Sequence, residues 1–206
     1  MRYEVWEKLA HKYNRLWVQK YSLRPTRRDV KTILLPLIKK NPDLKILDIG
    51  CGTGQLAKEV SARFPKINYM GIDVASNMVA LAKASNKGEN VRFKVCPIEK
   101  FNADENFDVI ICTHSFPYFP DKEKMLGKIA DMCKDGGNVI IVNSSTNSLK
   151  DLIINFFLKA TTSKAEYLSI PKMKKLFKAT GLTLKKKHII REKFYMPTLA
   201  LFYLEK

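Results

Sequence analysis

The chain has 206 residues, of which 46% are hydrophobic and 10% aromatic, a length and composition that suit one ordinary folded domain. Its longest apolar runs fall far short of the ~20 residues that span a membrane, and residues 1–20 mix charged and aromatic side chains unlike a secretory signal. These features exclude a transmembrane segment and favour the cytoplasm. The net charge of +17 raises the expectation of an anionic partner, although spread lysines on a solvated surface explain it equally simply.

The four cysteines lie far apart in sequence. They form no Cys-x-x-Cys pair and have no histidine at ligand spacing, which argues against both a zinc site and a disulfide framework. We therefore expect reduced thiols, mostly buried, and no metal. The four are Cys51, Cys96, Cys112 and Cys133.

Two helices are predicted before residue 44. Apolar residues recur at helical spacing over residues 4–20, which predicts an amphipathic helix. A second helix is predicted to begin at a capping-box pattern, Thr26-x-x-Asp29, and to end at Asn41. Pro36 lies inside it and should kink it.

From Leu44 the pattern changes to short apolar strands that alternate with helices. Such alternation predicts a mainly parallel sheet with helices on both faces. The five predicted strands are 45–50, 67–73, 91–95, 107–113 and 138–143. The helical patterns between them are 55–64, 76–86 and 121–134.

The last part of the chain predicts two helices and two strands. An apolar helix covers 148–160, and a second helix covers 171–180 and is closed by Gly181. The strands 182–190 and 198–204 leave almost no room for a helix between them, so they must form an antiparallel hairpin.

The strongest local signal is the sequence Leu-Asp-Ile-Gly-Cys-Gly-Thr-Gly at residues 47–54, where a predicted strand enters a glycine-rich turn and then a helix. Glycine suits a turn with positive φ where a ligand lies against bare backbone, and the carboxyl end of such a strand is the expected ligand crevice. A dinucleotide site has G-x-G-x-x-G, but here the third glycine comes one residue early. Asp48 would also repel a phosphate and attract a cationic ligand. S-adenosylmethionine, with an ammonium, a sulfonium and no phosphate, fits this turn better than NAD.

Residues 45–143 resemble the class I S-adenosylmethionine-dependent methyltransferases, and specifically the small-molecule branch that includes ubiquinone/menaquinone biosynthesis enzymes. Residues 47–54 match the first family motif, and Asp73 matches the acid that ends the second strand. Residues 107–112 match the fourth-strand motif, and 134–137 match the turn before strand five. The resemblance implies a Rossmann-like α/β domain with a seven-stranded sheet, mostly parallel with an antiparallel terminal strand.

The resemblance also implies roles for individual residues. Asp48 would orient the cofactor's ammonium, and Asp73 would accept both ribose hydroxyls because its two oxygens match a vicinal diol. Relatives often have an acid for the adenine amino group where this chain has Pro97, so weaker adenine selectivity is expected. The implied cofactor-binding residues are Tyr13, Asp48, Gly50, Cys51, Gly52, Gly54, Asp73, Val74, Met78, Pro97, Ile98, Glu99, Cys112 and Thr113.

The loop after the fourth predicted strand falls where acceptor and methyl group should meet. His114 is the best-placed general base if the acceptor must lose a proton, with Tyr118 and His11 in reserve; a purely structural histidine is the alternative. The Ser-Phe-Pro-Tyr sequence at 115–118 is one residue away from a motif that stacks a flipped nucleic-acid base. A loop that only covers the cofactor is the alternative we favour.

The resemblance divides the single domain into N-terminal helices at 1–43, a cofactor-binding core at 44–143, and the apolar helix with the terminal hairpin at 144–206. The first helix would form a lid over the crevice, mobile without ligand, with Tyr13 facing in. The 148–160 helix would lie at the crevice edge and line an acceptor pocket, pair two chains or only pack. Its apolar residues are Leu149, Leu152, Ile153, Phe156 and Phe157, while Phe177 and Phe194 are predicted packing positions.

The predicted function is methyl transfer from S-adenosylmethionine to a small acceptor that is partly apolar or anionic. Basic residues between 172 and 193 are candidates to hold an anionic group. An RNA or protein acceptor is the alternative that the charge supports, and a non-catalytic binding protein on the same fold is the third.

Overall fold

In the computed structural model, residues 4–162, 165–193 and 196–206 are described, with side chains at 157–162 excepted. Their strands form one sheet in the order β3-β2-β1-β4-β5-β7-β6. The strands are β1 (Lys45–Ile49), β2 (Asn68–Asp73), β3 (Val91–Val95), β4 (Phe107–Thr113), β5 (Cys133–Ser144), β6 (Thr183–Ile190) and β7 (Leu199–Glu205). The helices are α1 (Glu4–Tyr13), α2 (Arg24–Lys40), α3 (Gln55–Ser61), α4 (Ser76–Ser85), α5 (Lys122–Met132), α6 (Leu149–Thr162) and α7 (Ile170–Ala179).

The sheet is parallel from β3 through β5, and β7 runs antiparallel to both β5 and β6. This confirms the predicted Rossmann-like sheet and its terminal hairpin. The irregular β4–β5 pairing spans residues 134–137, where the family turn was expected. Gly136 adopts a φ of 71° there, so the turn persists as a distortion within a longer strand.

Two hydrophobic cores lie on opposite faces of the sheet. Neighbouring residues of β4 show the division: Ile110 belongs to one buried cluster and Ile111 to the other, both with 0% exposure. Successive side chains of a strand point to opposite faces, so each face is covered by its own helices. Phe177 of α7 packs on Phe202 of β7 in the first core, as its predicted packing role requires.

The first helix is shorter than predicted. It ends at Tyr13, and a π-helical turn at Gln19–Leu23 leads into α2. The side-chain oxygen of Asn14 accepts hydrogen bonds from Thr53 Oγ1 and Gln55 Nε2, both at 2.7 Å. These contacts fix the chain after Tyr13 to the glycine turn, which overrides the helical spacing that continues to residue 17.

The predicted capping box at Thr26 is wrong. The helix already begins at Arg24, with Pro25 in its first turn, a position where a fixed φ favours helix entry. The Thr26 hydroxyl pairs instead with His114 Nε2 at 2.9 Å, so a tertiary partner replaces the cap. The helix continues through Pro36.

Two other helix ends agree with prediction. Ser148 Oγ accepts a hydrogen bond from the Asp151 nitrogen at 3.1 Å and caps α6. Gly181 has a φ of 73°, and the following nitrogen donates to the Phe177 carbonyl at 2.9 Å, which closes α7 as C-capping glycines do. The predicted positions of the Phe157 side chain and of Phe194 lie outside the described residues. Within the described parts, no helix is both long and apolar enough to span a membrane.

Candidate functional site

A cavity lies at the carboxyl ends of β1, β2 and β4, with about 850 Å³ of empty space including its open mouth. The edge where parallel strands end is the usual ligand crevice of such sheets. The cavity is lined by Trp6, Tyr13, Ile49, Gly50, Gly52, Ile72, Asp73, Val74, Met78, Cys96, Ile98, Glu99, Thr113, His114, Ser115, Tyr118 and Phe119. We call it the main cavity.

A smaller side cavity adjoins it and shares Tyr13, Gly50, Gly52, Thr113 and His114 with the main cavity. It therefore extends the same crevice under the glycine turn. Its further lining residues are Leu23, Thr26, Arg27, Asp48, Cys51, Thr53, Gln55 and Leu56.

The glycine turn has the backbone conformation that its sequence predicts. Gly50, Gly52 and Gly54 have φ values of 74°, 54° and 70°, in the left-handed region that other residues rarely adopt. A β-carbon on Gly50 would lie 1.8 Å from Ser115 Oγ. At Gly50, bare backbone therefore faces the cavity because a side chain does not fit there.

Asp73 ends β2 and is tied to this turn. Its Oδ2 accepts a hydrogen bond from the Gly52 nitrogen, and its Oδ1 accepts one from the Ala75 nitrogen, both at 2.9 Å. Burial raises the pKa of this carboxyl, while the backbone donors lower it. Each carboxylate oxygen can accept more than one hydrogen bond, so Asp73 keeps acceptor capacity toward the cavity that it lines.

Asp48 lies beneath the turn with 2% exposure. Its Oδ2 accepts a hydrogen bond from the Tyr69 hydroxyl at 2.7 Å, whereas its Oδ1 has no partner among the described residues. Burial raises the pKa of Asp48 to about 7, an effect that the Tyr69 hydrogen bond opposes and that Asp73 increases. A buried acceptor without a partner costs about 1–3 kcal/mol, so a cationic donor in the side cavity would be stabilised here.

The first helix covers the main cavity and is held by Glu7. The Glu7 carboxylate accepts hydrogen bonds from the backbone nitrogens of Ser76 at 2.6 Å and Asn77 at 2.9 Å. Because α4 has no side-chain cap of its own, Glu7 caps it from another helix, and the Asn77 hydrogen bond lowers the pKa of Glu7. This anchor places Trp6 and Tyr13 in the lining of the cavity; that the helix acts as a lid stays a prediction.

Aromatic rings form one wall of the main cavity. Trp6 stands edge-on to Tyr13, with ring centroids 6.3 Å apart, and to Tyr118, at 5.7 Å. Burial, with a contribution from Asp73, raises the pKa of Tyr13 to about 12, so this hydroxyl stays neutral. The wall presents flat apolar surface to whatever enters beside the glycine turn.

His114 lies at the junction of the two cavities. It is the one non-glycine residue with positive φ, at 60°, in the described chain, and its nitrogen donates to the Val142 carbonyl at 2.7 Å. Burial, helped by Arg27, lowers the pKa of the ring to about 4. The imidazole is therefore neutral at neutral pH, with Nε2 against the Thr26 hydroxyl.

Several predicted residues lie away from both cavities. Gly54 packs toward Ala82 and Phe93, Cys112 is buried within β4, Pro97 lines neither cavity, and His11 is exposed. The other predicted site residues come together around the crevice.

The described side chains of the apolar helix α6 do not lie at the crevice edge, contrary to expectation. Its Leu152 and Phe156 line a separate groove together with Lys172, and no described side chain of α6 lines the main or side cavity. Hydrogen bonds of the buried Asp151 and Asn155 hold it elsewhere.

Sequence reasoning missed several lining residues. Trp6, Ser115 and Phe119 line the main cavity, and Thr26 and Arg27 line the side cavity. Trp6 is one of the apolar residues at helical spacing in the first predicted helix. The predicted position of that helix over the crevice was the signal that could have identified Trp6. Ser115 belongs to the loop that the sequence placed where acceptor and methyl group meet, but its approach to Gly50 has no signal in the sequence.

Comparisons with known proteins agree with this geometry. A family model described as a methyltransferase domain matches residues 40–195. A malonyl-[acyl-carrier protein] O-methyltransferase of Bacillus anthracis is 29% identical over 116 residues, covering 56% of this chain and 43% of that protein. A ubiquinone/menaquinone biosynthesis C-methyltransferase of Geotalea daltonii is 34% identical over 131 residues, covering 59% of this chain and 56% of that protein. The chain thus spans about half the length of these relatives.

The fold is shared with solved methyltransferases. The magnesium protoporphyrin IX methyltransferase of Synechocystis PCC 6803, crystallised with bound SAH, superimposes with a TM-score of 0.78 at 15% identity, covering 100% of this chain and 97% of that one. The resemblance to class I S-adenosylmethionine-dependent methyltransferases is confirmed. The chain belongs to the methyltransferase domain family.

Proposed function

We propose that the protein transfers a methyl group from S-adenosylmethionine to a small acceptor. The observation that carries this proposal is the pair of carboxylates at the glycine turn. Asp73 is held by the turn's own nitrogen, and Asp48 beneath it has an oxygen without a partner in the described part of the chain. A cation-bearing nucleoside complements both, whereas a pyrophosphate would be repelled by them.

The residues present fit this cofactor. Asp73 would receive the ribose hydroxyls, Val74 and Met78 would pack on the base, and Gly50 and Gly52 would leave room for the methionine half. Asp48 would hold the ammonium, which stabilises the ionised carboxylate and lowers its raised pKa. When bound, the cofactor supplies a methyl group attached to a sulfonium. Its neutral thioether is a good leaving group, so in-line displacement needs little beyond alignment of the reactants.

The chain's own contribution on the acceptor side comes from the loop after β4 and from α1. The Trp6 and Tyr118 rings would orient a flat or apolar acceptor and exclude water beside the reacting atoms. His114 is neutral and lines the main cavity, so it is able to take a proton from an acceptor that loses one. Its low pKa makes it a weak base, suited to a proton released as the new bond forms.

The small-molecule assignment is supported by relatives named for malonyl-[acyl-carrier protein] and for ubiquinone/menaquinone biosynthesis. A solved neighbour named for magnesium protoporphyrin IX also supports it. The second candidate is an RNA or protein acceptor, which the net charge of +17 favours. The cavity under α1 favours the first, because a polymer would need an open groove. The cytoplasmic localisation stays a prediction.

A transfer assay with labelled S-adenosylmethionine tests the proposal. Quinol-like, phenolic and carboxylate-bearing small molecules are compared with bulk RNA and protein. We expect label in at least one small-molecule class. Label in RNA or protein alone, with every small molecule inert, would contradict the assignment.

A further inference from the structure

The outer face of α6 carries large apolar side chains in contact with solvent. Leu149 is 73% exposed, Leu152 55%, Ile153 51% and Phe156 69%. Their spacing of three and four residues places them on one side of the helix. Monomeric soluble proteins rarely leave such a contiguous apolar patch without a use.

The buried residues of α6 that the structure describes are polar, and their hydrogen bonds fix the helix in this orientation. Asp151 and Asn155 are each 2% exposed. Asp151 Oδ1 accepts from the Thr198 nitrogen at 3.0 Å, and its Oδ2 accepts from the Asn147 nitrogen at 3.2 Å. Rotating α6 to bury its apolar face would break these bonds. An ordinary surface helix turns its apolar side to the core and its polar side to solvent, whereas α6 does the opposite.

Asn155 extends this fixed polar contact by one helical turn. Its Oδ1 accepts from Ser144 Oγ at 2.6 Å, and its Nδ2 donates to Thr146 Oγ1 at 3.0 Å. Both partners belong to the end of β5 and the loop that follows it. The helix is thus held to the sheet by polar side chains, which leaves Leu149, Leu152, Ile153 and Phe156 outward.

Cationic side chains border this face. Lys150 is exposed within α6 itself. Lys172 lines the groove that Leu152 and Phe156 also line. The acid of the same groove, Glu166, is paired with Lys122 at 2.8 Å, so it does not neutralise Lys172.

We propose that α6 is a docking face for an anionic lipid bilayer, on which the helix lies in the plane of the headgroups. Interfacial helices combine an apolar face that enters the acyl boundary with flanking lysines and arginines that meet anionic headgroups. Here the two features occur together, on a chain with a net charge of +17. This face is separate from the cofactor crevice, so the proposal does not depend on the proposed methyl transfer.

Co-sedimentation with vesicles, without cofactor, tests the proposal. We expect the protein to bind vesicles of phosphatidylcholine mixed with phosphatidylglycerol, to bind phosphatidylcholine alone far more weakly, and to be released by high salt. Leu152→Ser with Ile153→Ser should lower partitioning at least about tenfold, because both side chains lose buried hydrocarbon. Lys150→Gln with Lys172→Gln should lower it about fivefold for each lysine neutralised.

Matched controls separate this face from bulk charge and hydrophobicity. Leu81→Ser changes an exposed leucine of α4, and Lys58→Gln changes an exposed lysine of α3. Leu81→Ser should bind vesicles as the wild type does. Lys58→Gln should reduce vesicle binding less than either double variant of α6 does. Circular dichroism melts confirm that each variant is folded.

Three results would overturn the proposal. One is absence of wild-type binding to the anionic vesicles. Another is an equal loss of vesicle binding in the α6 variants and the control variants. The third is a concentration-dependent dimer in solution that Leu152→Ser with Ile153→Ser abolishes, which would assign the face to a second copy of the chain.

Discussion

The backbone nitrogen of Gly52 donates a hydrogen bond of 2.9 Å to Asp73 Oδ2 across 21 residues of sequence. This contact joins the glycine turn after β1 to the end of β2. It fixes the orientation of the carboxylate that lines the crevice and that we propose receives the ribose hydroxyls. A side chain that is already ordered loses less conformational entropy when a ligand binds.

The glycine turn gives the first prediction. Gly50→Ala should lower the free energy of unfolding by about 1–3 kcal/mol, because its φ is 74° and the new methyl group would collide with Ser115. Urea denaturation measures the change. Gly127→Ala is the matched control: it lies in α5 with no atom within 4 Å of the added carbon, so it should stabilise by about 0.5–1 kcal/mol. Equal effects of the two substitutions would contradict the account of the turn.

The second prediction concerns the pH dependence of stability. Asp48 has a folded pKa of about 7, above its ordinary value of about 3.9, so its contribution falls as pH rises through that window. His114 has a folded pKa of about 4, below its ordinary value of about 6.5, so its contribution rises with pH between those values. The two effects oppose each other between about pH 4 and pH 6.5.

Asp48→Asn should therefore expose the histidine effect. The free energy of unfolding of this variant should increase with pH more steeply than that of the wild type, by up to about 1.4 kcal/mol per pH unit in this window. Urea denaturation at several pH values measures both slopes. His114→Gln should change the slope in the opposite direction. Parallel curves for all three proteins would show that neither group titrates as described.

The lid gives the third prediction. S-adenosylmethionine should slow amide hydrogen exchange in α1, because a cover over a buried ligand must open and close. Glu7→Gln weakens the carboxylate cap on the first turn of α4, so it should speed that exchange. Lys8→Gln, at an exposed position of the same helix, is the control and should behave as the wild type. Identical protection of α1 with and without cofactor would exclude the lid.

His114 gives the fourth prediction, for an acceptor that loses a proton. His114→Asn should lower kcat about 10²–10⁴-fold, the usual contribution of a positioned base. The acid limb of the wild-type kcat/KM profile should lie near the ring's pKa of about 4 and not near 6.5. Thr26→Val, which removes the hydroxyl against Nε2, should shift that limb. An unchanged kcat in His114→Asn would leave the histidine with a structural role only.

The strands, the glycine turn and Asp73 were predictable because their signals are local: alternating apolar runs, a run of glycines, and an acid at a strand end. The first helix and the cap at Thr26 were mispredicted because distant partners decide them. Asn14 binds the turn at Thr53, and Thr26 binds His114. The predicted position of α6 was wrong for the same reason, because Asp151 and Asn155 anchor the helix through contacts distant in sequence. The division into three parts of one domain stays a prediction.

Calorimetric titration with S-adenosylmethionine tests the central claim most directly. We predict micromolar binding of the cofactor and of its demethylated product, and weaker binding of NAD. Asp73→Ala should weaken cofactor binding by about 1.5–3 kcal/mol, the usual contribution of hydrogen bonds to a charged group. Binding of NAD that is tighter than that of S-adenosylmethionine, or an affinity unchanged in Asp73→Ala, would contradict the assignment of this crevice.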